Sequence, residues 1–113
     1  VTTRTVRRAD DDTVVCERCR VADTFWLRLR GLMGRTSLEP GEGMLFERNG
    51  SIHMFFMRMP LDVVFCDRDL RVVKVARELK PWRTAGARGA RTTIELAAGA
   101  AAAVDVGDVL VIE

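Results

Sequence analysis

The chain has 113 residues, enough for one ordinary domain and too few for two. With 48% hydrophobic and 30% charged residues it is neither disordered nor membrane-like in composition, and no apolar run approaches the roughly 20 residues that a bilayer-spanning helix needs. A net charge of +2 does not by itself point to a nucleic-acid partner, and the Arg-for-Lys bias, with Lys74 and Lys80 the exceptions, fits a GC-rich genome better than an Arg-specific chemistry.

Residues 1–12 carry Arg4, Arg7 and Arg8 followed by Asp10, Asp11 and Asp12. These charges cancel, and the segment reads as a flexible, solvated lead-in to a single domain over residues 13–113. It contains no charged-then-apolar signal stretch, and three cysteines cannot close a disulfide framework. A reducing, cytoplasmic setting is therefore the expectation, with export after removal of a leader as the alternative. Residues 14–21 alternate loosely and predict a first strand. Asp23-Thr24 offers N-cap chemistry, and Phe25, Leu29 and Leu32 fall at i, i+4 and i+7, which predicts a helix over 24–33 stopped at Gly34. Residues 37–43 are a loop by composition.

Two apolar runs then flank Asn49-Gly50, a pair suited to a type I′ turn because both central residues need φ > 0. A hairpin with this turn sets Arg48 against Ser51, Phe46 against His53 and Met44 against Phe55. Both of its faces are apolar, so it should be covered on both sides. After Pro60, residues 61–66 and 71–76 predict a second strand pair around Asp67-Arg68-Asp69-Leu70. Residues 83–91 read as an Arg/Gly/Ala loop, 92–96 as a strand, 97–103 as a small-residue connection and 109–112 as a last strand. These elements predict a mostly β fold: a single-domain β-sandwich or distorted small barrel of about seven short strands with one N-terminal helix.

Arg30-Gly31-Leu32-Met33-Gly34-Arg35, Gly43-Met44-Leu45-Phe46, Phe56-Met57, Pro60-Leu61-Asp62, Phe65, Glu95-Leu96, Gly99 and Gly107-Asp108 form an ordered series. In order and spacing it resembles the family called domain of unknown function 192, over residues from about 20 to 112. The resemblance implies a compact β-rich domain, found alone or behind an export signal, and no known activity. The family pattern has Trp-Met where this chain has Phe56-Met57, and Gly where it has Leu70, which predicts a different turn type there.

Several constellations carry chemistry, and each has a plainer reading beside it. Cys16 and Cys19 form a C-x-x-C, either half a zinc site or a redox pair. On an extended strand the two would point to opposite faces with Cα atoms about 10 Å apart, beyond the roughly 7 Å limit for a disulfide, which favours two buried thiols. His53 with Met54, Met57 and Met59 could hold a soft metal such as Cu(I) if His53, Met57 and Met59 share a strand face, as in a metal carrier. Methionines filling a core explain the same residues. Asp62 with His53 could serve a small hydrolase-like enzyme. A structural role for Asp62, capping backbone N–H groups or pairing with Arg35 or Arg58, is the plainer account.

Between residues 68 and 91 eight basic side chains stand against Asp69 and Glu78, a local net charge of +6. Lys80, Arg83, Arg88 and Arg91 place part of that charge beside Trp82, a combination suited to phosphates, single-stranded nucleic acid or acidic glycans. A solvated edge is the competing reading. The sequence thus points to a non-catalytic binding or accessory module without a cofactor. Its expected surface is the loop at 80–91 with a concavity beside Arg35, Arg58 and Asp62, and its expected partner an anionic ligand or polyanion.

Overall fold

β-branched and aromatic residues alternating over short runs drive just under half of the chain into strands. The computed structural model describes residues 2–113, and for Phe25 the backbone alone. The elements in chain order are β1 (Thr3–Arg8), β2 (Val14–Val21), α1 (Phe25–Arg30), β3 (Glu42–Glu47), β4 (Ser51–His53), β5 (Leu61–Cys66), β6 (Val72–Leu79), β7 (Thr84–Gly86), β8 (Thr92–Ala97) and β9 (Leu110–Ile112). Seven strands build one sheet in the order β6-β5-β8-β3-β2-β1-β9, and β4 and β7 pair separately as a small two-stranded sheet. The large sheet curls until its edges approach. At that seam Arg71 bridges to Val109, the Val72 N–H donates to the Asp108 carbonyl at 2.8 Å, and the Leu110 N–H donates to Leu70 at 2.9 Å. So short a seam leaves the barrel open. The mostly β, one-helix expectation holds.

Two apolar layers lie on the two faces of this sheet. Val6, Cys16, Cys19, Val21, Leu45, Val64, Val72, Ile94, Leu96 and Leu110 fill the inner layer, with at least one residue from every strand of the large sheet. Met44, Phe46, Leu61, Val63 and Phe65 point the other way, under Leu32, Met54, Met57 and Met59. Alternation along β3 and β5 therefore buries both sides, and each fully buried Leu, Val or Phe contributes about 1.5–3 kcal/mol. The two-sided burial foreseen for residues 44–46 is real, but a different pairing produces it.

That pairing corrects the Asn49-Gly50 hairpin. β3 runs parallel to β2 and antiparallel to β8, with Phe46 opposite Thr93 and Met44 opposite Glu95. β4 pairs with β7 instead. The parallel β2–α1–β3 crossover is a βαβ unit, and the central strands recruit β3 more effectively than a local turn can. Of the residues around the supposed turn Arg48, not Gly50, has a positive φ, at 54°. Residues 54–60 form no strand, and Phe56 takes φ 62°.

Three smaller corrections follow. Residues 3–8, read as a solvated lead-in, are β1, whose Val6 is fully buried between β2 and β9. The helix is shorter than expected. Thr24 does cap it, its hydroxyl accepting from the Leu27 N–H at 3.1 Å, but it stops at Gly31 (φ 52°), and Leu29 is exposed. Within the loop expected at 83–91 lies β7. Leu70, where glycine was the family expectation, adopts φ 62°, the conformation that glycine would favour.

Asp62 fixes the end of the sheet. Opposite β5, the register of β6 slips so that Val63 pairs with Ala76 but Leu61 with Leu79, a bulge at which Glu78 takes φ 50°. The Asp62 carboxylate, 1% exposed, accepts the N–H of Glu78 at 2.8 Å, and those of Gly99 and Ala101 at 3.0 Å each. Across the same loop Arg77 donates to the carbonyls of Ala101 at 2.6 Å and Val104 at 2.5 Å. A small-residue connection built of successive turns is thereby held over the inner layer, where Ala101 and Val104 are buried. Asp62→Ala strands three donors in a dry site, and we expect a loss of about 3 kcal/mol or more in urea melts, with Asp62→Asn intermediate.

Gly50 remains sensitive for a reason other than its turn. A Cβ there would stand 2.7 Å from the Ala90 carbonyl oxygen. Gly50→Val should therefore lower stability by about 1–3 kcal/mol, whereas Asn49→Val, equally strained in a type I′ turn, should be mild in the same thermal melt.

Candidate functional site

The residues proposed from sequence do not converge as a catalytic set. Asp62 is saturated by backbone donors, while His53 is exposed on β4 and its Nδ1 accepts the Phe55 N–H at 3.2 Å. Arg35 forms a bidentate pair with Glu42 at 3.1 and 3.2 Å, which holds the Glu42 carboxyl below its ordinary pKa. Arg58 is exposed. Arg35 and Asp62 are thus engaged in structural bonds, and the cleft that His53 lines does not include Asp62.

The soft-metal reading fails on placement. Met54, Met57 and Met59 are 0%, 6% and 8% exposed within the outer apolar layer, and the segment that should have aligned them with His53 is a turn. Among the described residues no three His, Cys, Asp or Glu side chains gather where they could share a metal ion. Cys16 and Cys19 do come together, contrary to the extended-strand expectation. Opposite β1, Arg4 pairs with Cys19 and Val6 with Cys16, so β2 carries one extra residue, and that bulge turns both thiols into the inner layer. The Cys16 thiol donates to the Gly41 carbonyl at 3.5 Å. The proximity of the two thiols lowers the Cys16 pKa and, with burial, raises that of Cys19; burial raises Cys66 to about 12.

The basic loop is divided by β7. At one end the Met54 N–H donates to Arg83 and the Trp82 N–H to Met54, bringing Lys80, Trp82 and Arg83 against residues 54–56. At the other end the Ala87 N–H donates to Gly50 and the Asn49 N–H to Arg91, so Arg88 and Arg91 stand near Asn49-Gly50. All four cations are exposed, and none has a hydrogen bond or ion pair from its side chain among the described residues. At the first end the aromatic rings cluster. Trp82 lies 5.0 Å from Phe56 and 5.9 Å from Phe55, and His53 stacks on Phe55 at 4.9 Å. Phe55, Phe56 and Trp82 are 40%, 65% and 59% exposed. That is a large apolar area to leave in water without a use.

His53 belongs to a second feature as well. A cleft of about 240 Å³ opens between the C-terminal end of α1 and β4, lined by Arg28, Arg30, Leu32, Phe46, Ile52, His53 and Glu95 among others. Glu95 points outward from β8 because Ile94 and Leu96 take the inner face. It is 6% exposed, and its carboxylate has no hydrogen bond or ion pair among the described residues. Burial alone lifts its pKa from 4.5 to about 7. The charged and titratable groups around it are Arg28, Arg30 and His53 in the cleft and the Cys19 thiol. Gly31 stands above it, where a Cβ would lie in ordinary contact, 3.4 Å from the Phe46 ring and 3.9 Å from Glu95 Oε1, and it is the positive φ of 52° that favours glycine there. Sequence reasoning met Glu95 only as part of the family series. The signal it carried was a carboxylate on a β-branched central strand, where two-sided burial leaves no solvent for it.

A raised carboxyl pKa means that the folded protein binds the proton more tightly than the unfolded chain. Stability is then highest below about 4.5 and declines as pH rises through about 7. A shift of this size corresponds to roughly 3 kcal/mol. Glu95→Gln should accordingly melt higher than wild type at pH 8, with the difference shrinking toward pH 5. Equal melting at pH 8 would remove the buried-carboxylate account.

The fold is that of a one-helix, β-rich domain built on a curled seven-stranded sheet. The chain belongs to DUF192, described as "Uncharacterized ACR, COG1430", whose model matches residues 5–112. It is 42% identical over 73 residues to a UPF0127 protein of Thermococcus sibiricus and 43% identical over 70 residues to one of Pyrococcus horikoshii. Those matches cover 58% and 57% of this chain, and 45% and 57% of the relatives, so the match spans about half of their length. A crystal structure of a protein of unknown function from Novosphingobium aromaticivorans superposes with a TM-score of 0.82 at 30% identity, covering 97% of this chain and 84% of that one. The family is uncharacterised, and these relatives indicate no catalytic function. Among the described residues no helix is long and apolar enough to cross a membrane.

Proposed function

We propose that the domain is a binding module for single-stranded nucleic acid, with the rim of Phe55, Phe56 and Trp82 as its contact surface. The supporting observation is the exposed aromatic cluster flanked by Lys80 and Arg83, cations with no carboxylate partner. Exposed rings supply stacking faces to unpaired bases, and the neighbouring cations meet the phosphates. A solvated edge needs the charge but not the rings, which is why the nucleic-acid reading is preferred. Arg58, exposed beside Met57, extends the charged border, while Arg88 and Arg91 at the far end of β7 offer a second phosphate contact along the strand.

The reading is checked by a salt series against single-stranded oligonucleotides and an acidic glycan that has no bases. Oligonucleotide affinity should fall steeply as salt rises, and Trp82→Ala should weaken it by roughly 5- to 100-fold, the range expected for one stacked base. Arg83→Glu should weaken both ligands. If nothing binds at about 50 mM salt, or if Trp82→Ala binds oligonucleotides as well as wild type, the rim is not a nucleic-acid surface.

A further inference from the structure

We propose that the cleft between α1 and β4 is a separate site for a guanine-type ligand, whose paired N–H donors meet the Glu95 carboxylate while its anionic group lies toward Arg28 and Arg30. The inference goes beyond the rim reading and stands without it, because a mononucleotide reaches the cleft alone.

The argument starts from what is missing around Glu95. A buried carboxylate ordinarily collects donors from its surroundings, as Asp62 does with three backbone N–H groups. Glu95 is nearly as deeply buried and receives none among the described residues, although Asn49, Ser51 and His53 line the same cleft. Its oxygens therefore face a space that an outside donor can fill. An ionised carboxylate offers two acceptor oxygens and no donor, so its complement is a group with two parallel N–H bonds.

The walls narrow the choice. Leu32, Phe46, Ile52 and Met57 give the cleft an apolar body suited to a ring. At about 240 Å³ it lies below the range of about 300–1,000 Å³ typical of drug-sized ligands, which suits one base or a fragment of that size. Arg28 and Arg30 line the helix side and add positive charge at the mouth of the cleft, which weighs against a cationic ligand such as an amidine or a free arginine side chain. Arg28 is steadied by donating to the Glu47 carbonyl at 3.0 Å, and Arg30 is exposed. Among the bases, guanine presents two adjacent N–H donors on one edge. Adenine sets a ring acceptor beside its amino group and would turn a lone pair toward the carboxylate. Stacking of His53 on Phe55 joins this cleft to the aromatic rim, so a base turned out of a strand on the rim would have a place to enter.

The test is calorimetric titration of the intact protein with GMP, IMP, AMP and free arginine at pH 8 and pH 6. GMP should bind at least tenfold tighter than AMP at pH 8, IMP should fall between them because it lacks the amino donor, and arginine should not compete. Protonation of Glu95 removes one acceptor, so GMP should bind about tenfold more weakly at pH 6 than at pH 8. Glu95→Gln should abolish the preference for GMP over AMP while remaining folded. Equal binding of GMP and AMP, no binding of either, or tighter binding of arginine overturns the proposal. Oligonucleotides test the two sites against each other. Glu95→Gln should weaken only guanine-containing strands, whereas Trp82→Ala should weaken oligo(dT) as well. Binding of oligo(dT) with no guanine preference sinks the cleft and leaves the rim, and binding of GMP with no oligo(dT) binding does the reverse.

Discussion

The carboxylate of Asp62 is the constraint on which this fold depends. It sits at a bulge where β6 frees one backbone N–H, and it gathers two more from a loop of glycine and alanine. A loop of that composition offers few side chains to order it beyond the buried Ala101 and Val104, so bonds from outside the loop fix its backbone. With Arg77 gripping the carbonyls that Asp62 leaves, one anion and one cation satisfy both polarities of the same stretch of backbone. The inner apolar layer is covered only because that stretch stays in place. Burying the Asp62 carboxylate is worthwhile because every hydrogen bond it accepts comes from a backbone N–H that would otherwise lack a partner, while Arg77 reaches the carbonyls from the exposed side.

The legible part of the fold was the part that local pattern governs. β2 and β5 were read with their true ends, β8 nearly so, and the N-cap at Thr24 followed from hydroxyl chemistry alone. Pairing was less legible, because β3 could satisfy its apolar faces with any neighbour of the right shape. Asn49-Gly50 suggested the residues next in sequence, but the long central strands β2 and β8 offer far more buried contact than the three-residue β4. β1 was hidden by its arginines. Val6 is its one fully buried apolar residue, and its arginines are half-buried, Arg7 and Arg8 paired with carboxylates. The bulge in β2 is likewise invisible to a reading of alternation, since one inserted residue changes which face every later side chain takes.

The candidate surfaces were legible to different degrees. Trp82 among cations announced itself by composition, whereas the rings that join it come from a turn that pattern reading had assigned to a strand. Phe56 stands where the family pattern has Trp, and in the structure it lies beside the indole of Trp82. Glu95 could not be singled out because its significance is a lack of partners, a property of three-dimensional surroundings. Asp62 and Glu95 show how little residue type decides. One buried carboxylate is saturated by the backbone and holds the fold, and the other is left with its oxygens facing open space.

Alternation along β8 has a consequence for how this domain can change. Ile94 and Leu96 belong to the inner layer, and Thr93 and Glu95 belong to the opposite face. The strand is in effect two interleaved texts, one written by the requirements of the barrel interior and one by the chemistry of the cleft floor. A substitution at 95 edits the second without touching a word of the first. Chains of this architecture can therefore diverge in what the cleft accepts while the sheet that carries it keeps the same spelling.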